Sequence, residues 1–90
     1  MFYVKDQMSN SVVRKEGERA RKVLAANLRS ARAHKGLNQE ELGNLVGLHR
    51  TYIGGLERAE RNASIDTIAC LAQALGYEVH ELLSPTLLVR

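Results

Sequence analysis

The most constraining feature of this chain is a pair of helical patterns separated by only a few residues at Gly47. Apolar residues recur at helical spacing on both sides of this glycine. These residues are Leu42, Val46, Ile53 and Leu56. Glycine readily adopts the left-handed conformation that ends a helix, and so short a turn makes the two helices cross steeply. The sequence therefore predicts a helix over 39–46, a turn closed by Leu48, and a helix from about 50 to 58.

Capping residues and apolar stripes predict three further helices, giving an all-α chain of about five. An apolar stripe begins at Ala20 and its helix ends at Gly36. A stripe over residues 65–75 follows the N-cap Ser64 and precedes a short helix over 78–83. The predicted organisation is a flexible basic arm over 1–19, for which helix near its end is left open. A helical domain over 20–85 and a short apolar tail over 86–90 follow.

Size and composition predict one small intracellular domain. Ninety residues with 44% hydrophobic content suit a single modest core, and domains of this size are marginally stable alone. The chain has a single cysteine, Cys70, so it cannot form an intrachain disulfide, and we expect this cysteine to be buried. The sequence has no run of about 18 apolar residues that could form a membrane span. We therefore expect a cytoplasmic protein that does not cross a membrane.

The C-terminal apolar residues have two interpretations. They either close the core of the monomer or form the seam of a homodimer, and the sequence favours the dimer. The residues are Val79, Leu82, Leu83, Leu87 and Leu88.

Charge is distributed unevenly along the chain. Residues 1–35 hold nine Lys or Arg and three Asp or Glu, a net +6, whereas residues 36–90 hold four and seven, a net −3. A basic half is typical of proteins that lay one face on a polyanion, although a solvated helix face would look the same.

The helix after the turn leaves one side free of the predicted core, and this side carries candidate base-reading residues. An α-helix fits the major groove of B-DNA, and Arg50 could bond O6 and N7 of a guanine together. Thr51 offers a hydroxyl and a methyl group. Two glycines inside this helix are explained either by close approach to DNA or by close helix packing. The candidates are His49, Arg50, Thr51, Gly54 and Gly55.

No pattern indicates an enzyme, a cofactor or a metal site. His34, His49 and His80 do not combine with Cys70 at a zinc-binding spacing. No nucleophile–base arrangement or glycine-rich phosphate loop is visible.

Residues 28–85 resemble the phage-repressor/Cro-like (XRE-type) helix-turn-helix family. The resemblance is carried jointly by the segments 37–42, 46–48, 52–53, 56–58, 68–76 and 82–83. It implies a five-helix, lambda-repressor-like bundle and a repressor-type regulator that binds an operator in double-stranded DNA as a dimer. One departure is Gly43, where the family commonly has alanine. Another is Gly55, where some relatives have a polar side chain.

The resemblance also implies roles for single residues. Arg50 and Thr51 match the base-reading pair, and Glu57 matches a residue that supports the fold. Phosphate contacts are implied for Gln39, Tyr52, Arg58, Arg61 and Asn62.

Two subtypes of regulator remain open. Residues 50–58, together with Arg61 and Asn62, are similar to controller proteins of restriction–modification systems. The alternative is an antitoxin or protein-interaction module that represses its own operon. RNA polymerase or a small protein is an open second partner.

Overall fold

Five α-helices and their connections make up residues 10–90, the part of the chain that the computed structural model describes. In chain order they are α1 (Asn10–His34), α2 (Gln39–Val46), α3 (Arg50–Glu57), α4 (Ile65–Leu75) and α5 (Val79–Leu82). Residues 10–90 contain no strand, and the predicted all-α class is confirmed.

The first helix is longer than the sequence predicted. It begins at Asn10, so the flexible arm expected over 1–19 was wrong for residues 10–19, although the sequence left helix near the end of the arm open. The apolar stripe is weak in this part, where Val12 is half exposed. An ion pair at helical spacing joins Glu16 and Arg19 at 3.6 Å. Residues 1–9, the rest of the expected arm, lie outside the described residues.

Capping residues set the bounds of α2 and α4 as predicted. The Asn38 side chain accepts from the Glu41 amide at 2.7 Å, and the Glu41 carboxylate accepts from the Asn38 amide at 2.8 Å. The Ser64 hydroxyl caps α4 by accepting from the Thr67 amide at 3.1 Å. Because these signals are local, they could be recognised from the sequence.

The core lies where α1 packs on α3 and α5 while α2 packs on α3 and α4. Burying a large aliphatic side chain contributes about 1.5–3 kcal/mol. The largest fully buried side chains are Leu28, Leu42, Ile53, Leu56, Leu71, Leu75 and Leu82. In this arrangement both α1 and α2 pack against the side of α3 that faces the core.

Two expectations for α4 were wrong. Ile65, predicted to begin the apolar stripe, is 62% exposed, and Cys70, predicted to be buried, is exposed. The buried stripe starts about one turn later, at Ile68. Tyr77, expected to pack at the α4–α5 junction, is buried as predicted.

The C-terminal apolar residues divide between the core and the surface. Leu82 is fully buried, so it closes the core of the single chain and is not available to a partner. Val79 and Leu87 are partly buried against the same core. Leu83 is 38% exposed and Leu88 is 83% exposed. Leu88 therefore leaves most of its apolar surface for a second molecule, and Leu83 leaves a smaller part.

The C-terminal tail folds back on the α4–α5 junction. The Arg90 guanidinium donates to the Glu81 carboxylate at 2.9 Å and lies over the Tyr77 ring at 4.6 Å from its centroid. The Arg90 backbone amide donates to the Tyr77 hydroxyl at 2.8 Å. The hydrogen bond from Arg90 lowers the pKa of the Glu81 carboxyl, with help from the backbone amide of Glu78.

Residues 10–90 include no helix with both the length and the apolar character needed to cross a membrane.

Candidate nucleic-acid interface

The turn between α2 and α3 is tight, as Gly47 predicted. Gly47 has φ +74°, in the left-handed region, and the Leu48 amide donates to the Gly43 carbonyl oxygen at 2.9 Å. A Cβ atom at Gly43 would overlap the Leu48 carbonyl oxygen. The glycine at 43 therefore lets the turn lie directly on α2, and this contact sets where α3 begins.

The N-terminal end of α3 presents the expected base-reading residues to solvent. Arg50 and Thr51 are both exposed. His49 caps the helix, because its Nδ1 atom accepts from the Thr51 amide at 3.0 Å. His49 thus has a structural role that the sequence did not reveal, and its Nε2 atom remains available for other contacts.

One weak ion pair engages Arg50. Its Nη1 atom lies 3.7 Å from Oε2 of Glu40 on α2, and both side chains are 64% exposed. An exposed pair at this separation contributes about 0–1 kcal/mol, so a nucleic acid could replace Glu40 as the partner of Arg50 at little cost.

A second group of polar side chains comprises Tyr52 on α3 and residues of the connection that follows α3. The Tyr52 hydroxyl donates to the Asn62 carbonyl oxygen at 3.1 Å, which ties α3 to the following loop. Arg61 lies over the Tyr52 ring at 5.9 Å from its centroid. Arg58 pairs with Glu60 at 2.9 Å, both largely exposed. The structure therefore brings Arg61 and Asn62 next to Tyr52, whereas Arg58 pairs with Glu60. Phosphate contacts by these residues stay a prediction.

The two glycines inside α3 are covered by side chains. A Cβ atom at Gly54 would lie 3.0 Å from Nη1 of Arg58 and 3.3 Å from Oε1 of Gln39. At Gly55 it would lie 2.6 Å from Cγ of Arg61. Both glycines are buried in the free chain. These contacts favour the packing interpretation that the sequence left open, and base reading by either glycine stays a prediction.

A buried carboxylate at the end of α3 joins three helices. Glu57 is 2% exposed and accepts from Arg32 of α1 at 2.6 Å and 2.9 Å. It also accepts from Nε2 of Gln39, the first residue of α2, at 3.0 Å. Arg29 donates to the Glu57 carbonyl oxygen. The carboxylate raises the pKa of the Arg32 guanidinium, chiefly by hydrogen bonding. The fold-supporting role implied for Glu57 agrees with this geometry.

Sequence reasoning gave no role to the arginines that hold this carboxylate. Arg29 and Arg32 lie off the apolar stripe of α1, and the sequence showed them only as part of a basic stretch. A usable signal was present, because Glu57 directly follows the core residue Leu56 and a buried acid needs a cation. Gln39, predicted to contact phosphate, also has a protein partner that the sequence did not indicate.

Comparison with known proteins decides the family. A family model described as helix-turn-helix (HTH_3) matches residues 28–82, more than half of the chain. The chain belongs to this helix-turn-helix family. Its members are DNA-binding regulators of transcription rather than enzymes. The family resemblance expected from the motifs is confirmed.

Individual relatives of this helix-turn-helix protein include control proteins. It is 48% identical to control protein C.SmaI of Serratia marcescens over 64 residues, which are 71% of this chain and 76% of the relative. Its fold is similar to the restriction-modification controller protein C.AhdI of Aeromonas hydrophila. That pair has a TM-score of 0.66 and 47% identity, over 69% of this chain and 94% of the other.

A further structure is similar over nearly the whole chain. It is the hypothetical transcription factor NHTF from Neisseria, with a TM-score of 0.72 and 34% identity. The similarity covers 96% of this chain and 92% of that one.

Proposed function

We propose that this protein regulates transcription by binding a pseudo-palindromic operator as a homodimer, with α3 of each copy in the major groove. The observation that carries the proposal is the exposed pair Arg50 and Thr51 at the start of a helix held from behind by α1 and α2. Two such helices, about 34 Å apart, would enter successive major grooves on one side of the duplex.

Base reading and positioning belong to different residues in this proposal. Arg50 reads a guanine and Thr51 contacts a neighbouring base, because the N-terminal residues of a recognition helix reach base edges. Contacts to phosphate fix the register of the protein without reading sequence. Donors for these contacts are Gln39, Tyr52, Arg58, Arg61 and Asn62.

The exposed leucines of the C-terminal region support the homodimer. Leu83 and Leu88 expose apolar surface on a small chain, and a second copy could cover it. Val79 and Leu87 would contribute from their partly buried positions.

A controller protein of a restriction–modification system is the subtype that the relatives favour. The support comes from the identity with C.SmaI over most of both chains and from the similarity in fold to C.AhdI. Such a regulator acts in the cytoplasm. Its binding sites would lie next to genes for a restriction enzyme and a methyltransferase.

The experiment that tests the proposal is selection of bound duplexes from random DNA, followed by titration of the selected site. Arg50→Ala should lose about 1–3 kcal/mol of discrimination at one base pair of each half-site. Arg61→Ala should weaken all duplexes alike and reduce the slope of log affinity against log salt by about one. Gln73→Ala, an exposed change on α4, is the control.

Two results would contradict the proposal. Failure of the wild-type chain to enrich any duplex sequence would reject sequence-specific binding. An Arg50→Ala variant with unchanged affinity and unchanged selectivity would reject the role of α3.

A further inference from the structure

Resting on the proposed function, we infer that Glu57 is a positioning residue, which orients the amide of Gln39 for a phosphate contact while touching no DNA itself. The key observation is that the two side chains share a hydrogen bond across the α2–α3 crossing. Nε2 of Gln39 donates to Oε1 of Glu57 at 3.0 Å.

The chemistry of the two groups fixes which end of the amide faces inward. An ionised carboxylate only accepts hydrogen bonds, so Gln39 must present its Nε2 atom, not its Oε1 atom, to Glu57. The Nε2 atom carries two N–H donors, and Glu57 uses one of them. The second donor remains for a phosphate oxygen, on a side chain that is only partly buried.

The position of the carboxylate is itself fixed. Arg32 binds it through two hydrogen bonds, of 2.6 Å and 2.9 Å, and the Arg29 side chain holds the Glu57 backbone. A bidentate arginine–carboxylate pair resists rotation better than a single contact. Gln39 is therefore oriented against a group that cannot turn away from it.

The glycine at 54 leaves room for this amide. A Cβ atom there would lie 3.3 Å from Oε1 of Gln39, which is tighter than ordinary contact. Gln39 therefore lies against the α3 backbone on one side and against Glu57 on the other. The amide has little freedom to lose on binding, and such preorganisation favours affinity.

A double-mutant cycle separates positioning from a general structural role. Glu57→Gln keeps the size of the side chain but allows the Gln39 amide to flip, and Gln39→Ala removes the amide itself. We expect Glu57→Gln to weaken operator binding about tenfold in the wild-type background. A change of this size corresponds to the free energy that one hydrogen bond to a charged group contributes. In the Gln39→Ala background we expect Glu57→Gln to change affinity less than twofold. The control is Asp66→Asn at an exposed position on α4. It removes one negative charge, as Glu57→Gln does, and should not weaken binding.

Equal losses in both backgrounds would overturn the inference, because a distorted fold would weaken binding whether or not Gln39 is present. Circular dichroism and thermal unfolding of all variants show whether each one is folded at the temperature of the titration. Failure of the wild-type chain to bind any duplex would reject the proposed function, a result distinct from an additive cycle.

Nuclear magnetic resonance of the unaltered chain tests the same point without a variant, in case Glu57→Gln does not fold. The side-chain amide protons of Gln39 should exchange with solvent more slowly than those of Gln73, which is exposed on α4. On addition of the operator, one Gln39 amide proton should shift while the other keeps its position. A Gln39 amide that behaves like that of Gln73, with and without DNA, would overturn the inference.

Discussion

Arg32 binds Glu57 edge-on, with Nε 2.6 Å from one carboxylate oxygen and Nη2 2.9 Å from the other. The two side chains are 18% and 2% exposed, so this pair is largely shielded from water. The same guanidinium donates to the Leu37 carbonyl oxygen at 2.8 Å, beyond the end of α1. One arginine therefore links the connection between α1 and α2 to the end of α3.

Removal of Arg32 should destabilise the protein strongly. Arg32→Met keeps most of the side-chain volume but leaves the Glu57 carboxylate buried without a cation. Breaking a buried pair in this way costs about 3–5 kcal/mol of unfolding free energy. Urea unfolding followed by circular dichroism measures the change. Arg19→Met, which breaks an exposed pair with Glu16, is the matched control and should change stability by less than about 1 kcal/mol.

Two glycine-to-alanine changes should have opposite effects. At Gly43 the added methyl group would overlap the Leu48 carbonyl oxygen, so the turn must move and we expect a loss of about 1–3 kcal/mol. At Gly17, within α1, the nearest atom to an added Cβ is the flexible end of Arg21 at 3.3 Å. Alanine is favoured over glycine in a helix by about 1 kcal/mol, so Gly17→Ala should stabilise. Thermal unfolding of both variants tests the pair, and a neutral Gly43→Ala would show that the turn can move freely.

Acid should release the contact between the tail and α5. The pKa of Glu81 is lowered from its ordinary value of 4.5 by Arg90, so this contribution to stability is fully present above that value. It is lost as the pH falls through the lowered pKa of the folded state. Glu81→Gln should therefore reduce stability at neutral pH and flatten the pH dependence below about 4.5. Urea unfolding between neutral and acid pH measures both effects, and parallel pH curves for variant and wild type would contradict the assignment.

Charges on the exposed leucines should dissociate the proposed dimer. Leu83→Lys together with Leu88→Lys would place two cations in the seam, and each lost leucine contact is worth about 1.5–3 kcal/mol when fully buried. We expect the dimer dissociation constant to rise at least about tenfold, as measured by sedimentation equilibrium. Leu45→Lys, on another leucine that is 62% exposed, is the control. Unchanged association of the double variant would place the seam elsewhere.

The sequence predicted best those features that depend on a few neighbouring residues. The bounds of α2 and α4 follow from Asn38, Gly47 and Ser64, whose backbone and side-chain bonds reach no further than one turn. The start of α1 was missed because residues 11–16 are exposed and bury little apolar surface. Helix there continues from the packed part of α1, and propagation of a helix is easier than nucleation.

The features that were missed depend on contacts between distant parts of the chain. The sequence could not show that Gln39 lies over Gly54, because a side chain of another helix makes that contact. The sequence also could not decide whether Leu82 closes the core of the monomer or lies in a dimer seam. The fold decides it, since Leu82 lies inward beneath α1.

Asn27 of α1 donates from one Nδ2 atom to the carbonyl oxygens of Leu82 and Ser84, at 2.8 Å each. A helix of only four residues, such as α5, cannot persist by its own hydrogen bonds. Its order therefore depends on α1, more than fifty positions earlier in the chain. We therefore expect the first and last helices to unfold together, so that local unfolding of α1 around Asn27 also releases α5 and the leucines beside it.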